Sequence, residues 1–332
     1  MSDALPHPRT VLRAALGFLT FGAWLFLVGA QAFVGIGELI VSFAIAVVVP
    51  LGLRATRGEG DLAYERVQRV VGLCAPVGMV AFAFPPGRTS AALSAVWLAA
   101  TLAVAARGLV RVRARGFFPL DELAIDLGHL LLPVGGAWLF ASRAGMSPFG
   151  FFEPIVLYTA AHFHFAGFAA CVVVGLLGRA LYAERAPSIV YRGAAAVVMA
   201  GVPLVAAGIT VSRAVEGPAA VLLGMGMLVV AALLWLLALR RLFERVEAPP
   251  VERWARKLGA PLFFVAGLAL LGSMMLAVAF ALTGSAGRGA GQSFIPYGTM
   301  ALLHGSANAF GFATCALLAF AVAPPPSARR QA

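Results

Sequence analysis

Four histidines, His129, His162, His164 and His304, sit inside long apolar stretches where ionisable groups are costly and therefore functional candidates. Neutral imidazole is a common metal ligand and an axial ligand of haem, so these side chains could bind Zn, Cu, Fe or haem b. Counted at 1.5 Å per residue, each lies roughly 13 to 20 Å from the start of its stretch, a shared depth near the middle of a bilayer. His129, His162 and His304 would form a metal set; His162, His164, His304 and Asn308 would hold a larger cofactor. Glu122, Asp126 and His129 follow the spacing i, i+4, i+7, which puts them on one helical face as a proton relay or catalytic carboxylate pair. Asp126 needs an inward partner, either His129 or an arginine. His162 and His164 differ by about 200° around a helix, so they face different neighbours. Asn308 stands one turn beyond His304, where it could orient a ligand or tie two helices together.

The elements that carry these residues are membrane spans. With 61% hydrophobic and 12% charged residues in 332, the chain is too apolar for a soluble domain, whose charged share is about 25%. Ten apolar runs are long enough to cross a bilayer: 12 to 30, 36 to 53, 69 to 85, 90 to 106, 120 to 142, 150 to 177, 193 to 212, 218 to 239, 260 to 283 and 294 to 323. The predicted fold is all-α, a single polytopic helix bundle over 1–332 with short tails at 1–11 and 324–332. The first run is too long for a cleaved signal, and we expect it to stay attached.

The net charge of +11 is a topology signal. With the N-terminus inside, Arg88, Arg143, Arg213 and Arg288 alone face outward, and the other 21 of the 25 basic residues lie in cytoplasmic segments. This alternation puts both termini in the cytoplasm of a bacterial inner membrane. The bilayer is the expected partner, and nucleic acid is not, because the basic residues alternate with spans instead of gathering on one solvated face. Cys74, Cys171 and Cys315 lie in apolar segments and indicate no disulfide framework. Pro133 with Gly135 and Gly136, and Gly201 with Pro203, could break their helices. The run Gly167-Phe168-Ala169-Ala170-Cys171 is echoed by Gly311-Phe312-Ala313-Thr314-Cys315, four spans apart and in the same direction, as in a parallel repeat.

The segment from Leu127 through Gly128, Pro133, Gly135, Gly136, Trp138 and Arg143, then His162-Phe163-His164-Phe165-Ala166-Gly167-Phe168, then His304-Gly305 with Asn308 to Phe312, resembles the YndJ-like family of bacterial membrane proteins. Those blocks cover under a third of the chain. The resemblance implies a multi-pass membrane protein, one of a family sometimes described as transporters, and fixes no reaction. The His162-Phe163-His164-Phe165 run is also similar to the haem-ligand helix of haem-copper oxidase subunit I, whose two histidines serve two haems. That family needs six metal-binding histidines including an adjacent pair. This chain has four in its spans and no such pair, so the likeness implies a distant haem or copper binder and argues against an oxidase.

Three functions fit these residues: a metal or haem protein doing redox or hydrolytic chemistry, a proton-coupled transporter using the same polar groups, and a non-catalytic assembly partner whose polar residues hold the bundle together. The orientation has a direct check. A green fluorescent protein fused after residue 332 should fluoresce and alkaline phosphatase at the same point should be inactive; the opposite pair of results would reverse the assigned sides.

Overall fold

The computed structural model describes residues 8–29, 35–57, 61–182, 187–243, 250–285 and 295–325. Long apolar helices dominate it. Helix α1 is Pro8–Trp24, continued by a π-helical turn Leu25–Gly29. It is followed by α2 (Ile36–Thr56), α3 (Leu62–Ala83), α4 (Arg88–Arg115), α5 (Leu120–Arg143), α6 (Ile155–Tyr182), α7 (Ile189–Val211), α8 (Arg213–Phe243), α9 (Pro250–Ser285) and α10 (Tyr297–Val322). Nine of these, α2 to α10, are long and apolar enough to span among the described residues, and α1 supplies a shorter apolar helix at the first expected position. Expectations for the tails 1–7 and 326–332, and for Arg185, Glu244, Arg245, Glu247 and Arg288, lie outside the described residues.

Burial sorts the helices. In α2 and α6 most of the apolar window is buried inside the protein (78% and 83%), whereas α3, α4 and α9 bury about a third or less (33%, 33% and 28%). A helix apolar all round belongs in the interior of a membrane bundle. Accordingly α2, α6 and α10 meet in the centre, α3, α4 and α5 pack on one side, and α7, α8 and α9 on the other, with α1 against α2.

The central helices share an irregularity. Each contains a π-helical stretch: Ala44–Val48 in α2, Phe163–Ala170 in α6, and Ala301–Gly305 and Ala307–Thr314 in α10. A π turn moves the acceptor from i−4 to i−5, and such stretches concentrate at functional sites. Three side chains follow the shifted register: Thr314 Oγ1 donates to Ala309 O at 2.7 Å, Cys315 Sγ to Phe310 O at 3.5 Å and Cys171 Sγ to Ala166 O at 4.0 Å. The expected breaks at Pro133 and Pro203 do not occur. Both prolines sit inside continuous helices, α5 and α7, because a membrane helix tolerates proline where its neighbours accommodate the freed carbonyl. The irregular backbone lies in the centre of the bundle instead.

Polar end groups also divide the molecule. Arg54, Arg57, Asp61, Arg107, Arg111, Arg115, Glu122 and Arg179 all lie at one end, hereafter the charged end. There Asp61 caps α3, accepting from Tyr64 N at 2.9 Å, and its carboxylate also pairs with Arg107 of α4. Burial alone would raise its pKa, but the Tyr64 amide and the Arg107 guanidinium outweigh it and hold the carboxyl below the usual range. The sign follows: this contribution to stability is complete above the unfolded value of about 3.9 and is lost as pH falls through the lower folded value.

Close packing of α4 on α5 depends on Gly108. A Cβ there would lie 2.8 Å from His129 Cβ and 3.1 Å from Asp126 O. Gly108→Ala should therefore lower thermal stability by about 1–3 kcal/mol through overpacking. Gly72→Ala, where nothing lies within 4 Å of the added carbon, should not. Detergent melting curves of the two variants decide the matter, and equal melting temperatures would refute the tight seat inferred for His129.

Candidate functional site

Two separate polar regions emerge, one at the charged end and one nearer the opposite end. The first is a buried ion-pair network. Helix α5 contributes Glu122 and Asp126, whose i, i+4 spacing aims both carboxylates the same way. Arg179 of α6 clamps Glu122 with Nε to Oε1 at 2.5 Å and Nη2 to Oε2 at 2.8 Å, a bidentate pair. Arg111 of α4 bridges the carboxylates, reaching Glu122 Oε2 at 2.5 Å and Asp126 Oδ1 at 2.6 Å. Arg115 lies 2.8 Å from Asp126 Oδ2. The two contacts to Asp126 are ion pairs set off the hydrogen-bonding angle, since these four atoms have no aligned partner. Glu122 and Asp126 are 2% and 0% exposed, so their charges depend on the arginines. Two carboxylates against three guanidiniums leave the network with one positive charge in excess.

A neutral chain of hydrogen bonds leads on from this network. His129 Nδ1 is 3.9 Å from Asp126 Oδ1, too far for a hydrogen bond, and His129 Nε2 is 2.9 Å from Tyr64 Oη. Tyr64 is in turn hydrogen-bonded to Thr56 Oγ1, and Arg179 donates to Thr56 O at 3.2 Å. The chain thus links α2, α3, α5 and α6 at their charged ends. His129 packs against the Tyr64 and Phe168 rings and is fully buried.

His164 belongs to neither region. Its Nδ1 donates to Ala160 O at 2.8 Å, which leaves Nε2 to accept from Trp97 Nε1 at 3.0 Å. Both ring nitrogens are used, and Gly135 makes room for the ring, since a Cβ there would meet His164 Nδ1 at 2.6 Å. The 200° between His162 and His164 has the consequence foreseen: His164 turns to α4 and α5, while His162 turns the other way.

The second region is a cavity of about 540 Å³ between α6, α7, α8, α9 and α10, with α2 and α5 completing the wall. It runs from exposed residues at the end opposite the charges, Phe149 and Tyr297 among them, down to His162, His304 and Asn308. Apolar groups such as Trp138, Phe163, Met274 and Phe312 form most of its lining. Pockets of this size and polarity take small organic ligands. His304 Nδ1 is 2.9 Å from Ser273 O, and Asn308 Nδ2 donates to His304 O at 2.9 Å. Ser273 Oγ donates to Asn308 Oδ1 at 3.4 Å, so Asn308 ties α10 to α9 while facing the cavity. His162 Nε2 has no hydrogen-bond partner among the described residues.

The histidines therefore do not share one depth. His162 is seven residues, roughly 10 Å, from the start of α6, and His129 packs on Phe168, six residues or roughly 9 Å further along the same helix. The depths counted from sequence diverge because α6 and α5 enter from opposite ends with different overhangs. The expected set of His129, His162 and His304 is split between the hydrogen-bond chain and the cavity. Among the described residues no three His, Cys, Asp or Glu side chains gather as a metal-binding group.

Arg111, Arg115, Arg179, Tyr64 and Trp97 were not singled out from sequence, although Asp126 pointed to an arginine. One signal was available. Val47-Val48-Val49, Leu51 and Arg54-Ala55 in α2 match Val172-Val173-Val174, Leu176 and Arg179-Ala180 in α6 at identical spacing. This places an arginine at the charged end of two central helices. In α10 the corresponding role passes to Arg241 of α8, which donates to Ala319 O and Ala323 O at 3.3 and 3.0 Å and covers the last carbonyls of that helix.

Comparison with known proteins gives a consistent picture of kinship. The profile of a family described as YndJ-like protein matches residues 39–312. A relative from Bacillus subtilis (strain 168), named "Uncharacterized membrane protein YndJ", is 25% identical over 227 residues, which cover 68% of this chain. The chain spans 38% of that relative's length. No solved structure matches.

Removing one member of the ion-pair network should be costly. Glu122→Gln leaves Arg179 and Arg111 facing a neutral amide and is expected to destabilise the fold by about 3–5 kcal/mol. The double variant Glu122→Leu/Arg179→Met should recover part of that loss. Chemical or thermal unfolding in detergent measures both, and a Glu122→Gln protein as stable as wild type would mean the network is solvated.

Proposed function

The chain belongs to the YndJ-like family of membrane proteins, and from the geometry of its interior we propose that it is a transporter for a small, largely apolar molecule. One observation carries the proposal: a cavity open towards one end penetrates to His162 and His304 and has no charged-end residue in its lining, while Arg179, Glu122, Arg111, Asp126 and Arg115 tie α4, α5 and α6 together at the other end. A site reached from one side with a closed barrier on the other is one state of an alternating-access cycle. With the charged end in the cytoplasm of the bacterial inner membrane, the cavity faces outward. The π-helical stretches of α6 and α10 lie at the depth of the site and supply the irregular backbone on which such a cycle can turn.

Protons offer a means of coupling. Asp126, His129, Tyr64 and Thr56 form a line of titratable or hydroxyl groups that leaves the network at Asp126 and returns to it at Thr56, whose carbonyl accepts from Arg179, interrupted by the 3.9 Å step between Asp126 and His129. Closing that step would connect them as a relay, with Glu122 holding the arginines. Opening the charged end requires these same ion pairs to separate, so a change in protonation at Asp126 would act directly on the barrier.

The cofactor reading retains one supporting feature, the partnerless Nε2 of His162 in a cavity shared with His304. Zn, Cu or Fe sites built from protein use three or four donors, and the described residues do not assemble them. Haem asks less of the protein, one or two axial imidazoles, which His162 and His304 could offer. Metal analysis and an optical spectrum of the purified protein separate these outcomes: a Soret band lost in His162→Ala would support haem, and a colourless, metal-free, folded protein would remove both cofactors.

Transport makes a sharper claim about access. In a background without native cysteines, Ala277→Cys in the cavity should react with a membrane-impermeant maleimide added from the outer side and not from the cytoplasmic side. Combining it with Asp126→Asn should open the cytoplasmic route and raise labelling from that side about tenfold or more, the order of change given by about 1.4 kcal/mol in a gating equilibrium. Labelling confined to the outer side in every variant, with the protein still folded, would argue for a one-sided binding protein.

A further inference from the structure

We propose that the cavity selects neutral amphiphiles with a hydroxyl head group, the oxygen seated between His162 and His304 and the hydrocarbon lying along the apolar wall. This rests on reading the cavity as a ligand site and adds the chemical class of the ligand.

The hydrogen-bonding pattern sets the requirement. Ser273 O can only accept, so the 2.9 Å contact makes His304 Nδ1 the protonated nitrogen and leaves Nε2 as a lone-pair acceptor. Asn308 Nδ2 donates one proton to His304 O at 2.9 Å and holds its second 3.3 Å from His304 Nε2, beyond the usual N–H to acceptor range. A ligand hydroxyl at ordinary distance would replace that long contact as the donor to His304 Nε2. His162 Nε2 is buried without a partner among the described residues, an arrangement that costs about 1–3 kcal/mol unless a ligand or water satisfies it. No carbonyl fixes its tautomer at that nitrogen, so it can donate. A hydroxyl answers both rings, donating to His304 Nε2 and accepting from His162 Nε2–H.

Charge excludes anionic head groups. Among the described residues no lysine or arginine lines the cavity, and Glu216 near the start of α8 is its one carboxylate. A carboxylate or phosphate head would be desolvated without a counter-charge, which is far more costly than burying a hydroxyl that is hydrogen-bonded. The wall offers Trp138, Phe163, Leu223, Met274 and Phe312 to a chain of methylenes. Methionine and phenylalanine there suit a flexible tail better than a rigid polar solute.

The test measures saturable binding of radiolabelled 1-dodecanol, and of dodecanoate at pH 9, to the full chain in lipid nanodiscs, with empty nanodiscs subtracted. Dodecanol should saturate and bind about tenfold or more tighter than dodecanoate, and His304→Leu should weaken dodecanol about tenfold without affecting dodecanoate. Ala277→Trp, which narrows the cavity, should abolish dodecanol binding. Because the comparison of two ligands is made on wild type, it stands even if a variant fails to fold. Equal affinity for both ligands, abolished by Ala277→Trp, would overturn the head-group assignment and leave the cavity as a ligand site. Absence of saturable binding by either ligand would count against the hydroxyl assignment; if impermeant labelling of Ala277→Cys also failed, the cavity as a transport site would fall with it.

Discussion

A carboxylate inside a membrane protein keeps its charge only where a cation is held against it, and this constraint on Glu122 and Asp126 organises the charged end of the molecule. The Born cost of moving such a group out of water is of order 20 kcal/mol before relaxation, so the compensation must be close and multiple. It comes from two other helices, α4 through Arg111 and Arg115 and α6 through Arg179. Each arginine therefore fixes the angle at which its helix meets α5. Arg179 also donates to Thr56 O, which carries the constraint to the end of α2, and Tyr64 brings in α3. Five helices are tied at one end by groups that none of them could bury alone.

Among the described residues the opposite end has no comparable network of ion pairs. Several of its polar groups are single side chains on the wall of a cavity, buried Arg143 packs over the Phe82 ring, and much of the contact between its helices is aromatic and aliphatic. This asymmetry has a mechanical meaning. Van der Waals packing between apolar helices in lipid has little directional preference and allows small shifts at modest cost, whereas a buried ion-pair network has few alternative arrangements. Movement should therefore be easiest around the cavity and most cooperative at the network, which can change only if several pairs part together. The π-helical stretches of α2, α6 and α10 lie between these two regimes, the position through which a change at one end would have to pass to reach the other.

Much of this arrangement was legible in the chain. The spans followed from hydropathy, because lipid imposes a minimum length, and among the described residues nine long apolar helices stand where nine of the ten runs were expected. Asp126 announced a buried partner. The divergence of His162 and His164 followed from helical geometry alone, and the structure gives one to the cavity and the other to Trp97. The depth of His129 relative to His162 was misjudged because a span's start in sequence is not its position in the membrane. Helix α6 extends to Tyr182, well past the run ending at 177. The partners of Glu122 were hidden for a related reason: Arg111, Arg115 and Arg179 looked like interfacial charges serving topology, and a place at the end of a span does not by itself distinguish an arginine that reaches water from one that turns back into the bundle.

The repeated pattern of α2 and α6 bears on that last ambiguity. Where Arg54-Ala55 and Arg179-Ala180 recur after the same three valines, a shared position in two parallel central helices implies a shared structural duty, and Arg179 displays that duty at Glu122. In α10 the duty is met from a different helix, by Arg241 on the final carbonyls, with its guanidinium over the Phe263 ring at 4.8 Å. All three central helices thus have an arginine at the charged end, by two different sequence routes. What is conserved within this molecule is the requirement itself: a parallel helix ending at that face brings the negative end of its dipole there, and a guanidinium is the group that can answer both the dipole and the buried carboxylates.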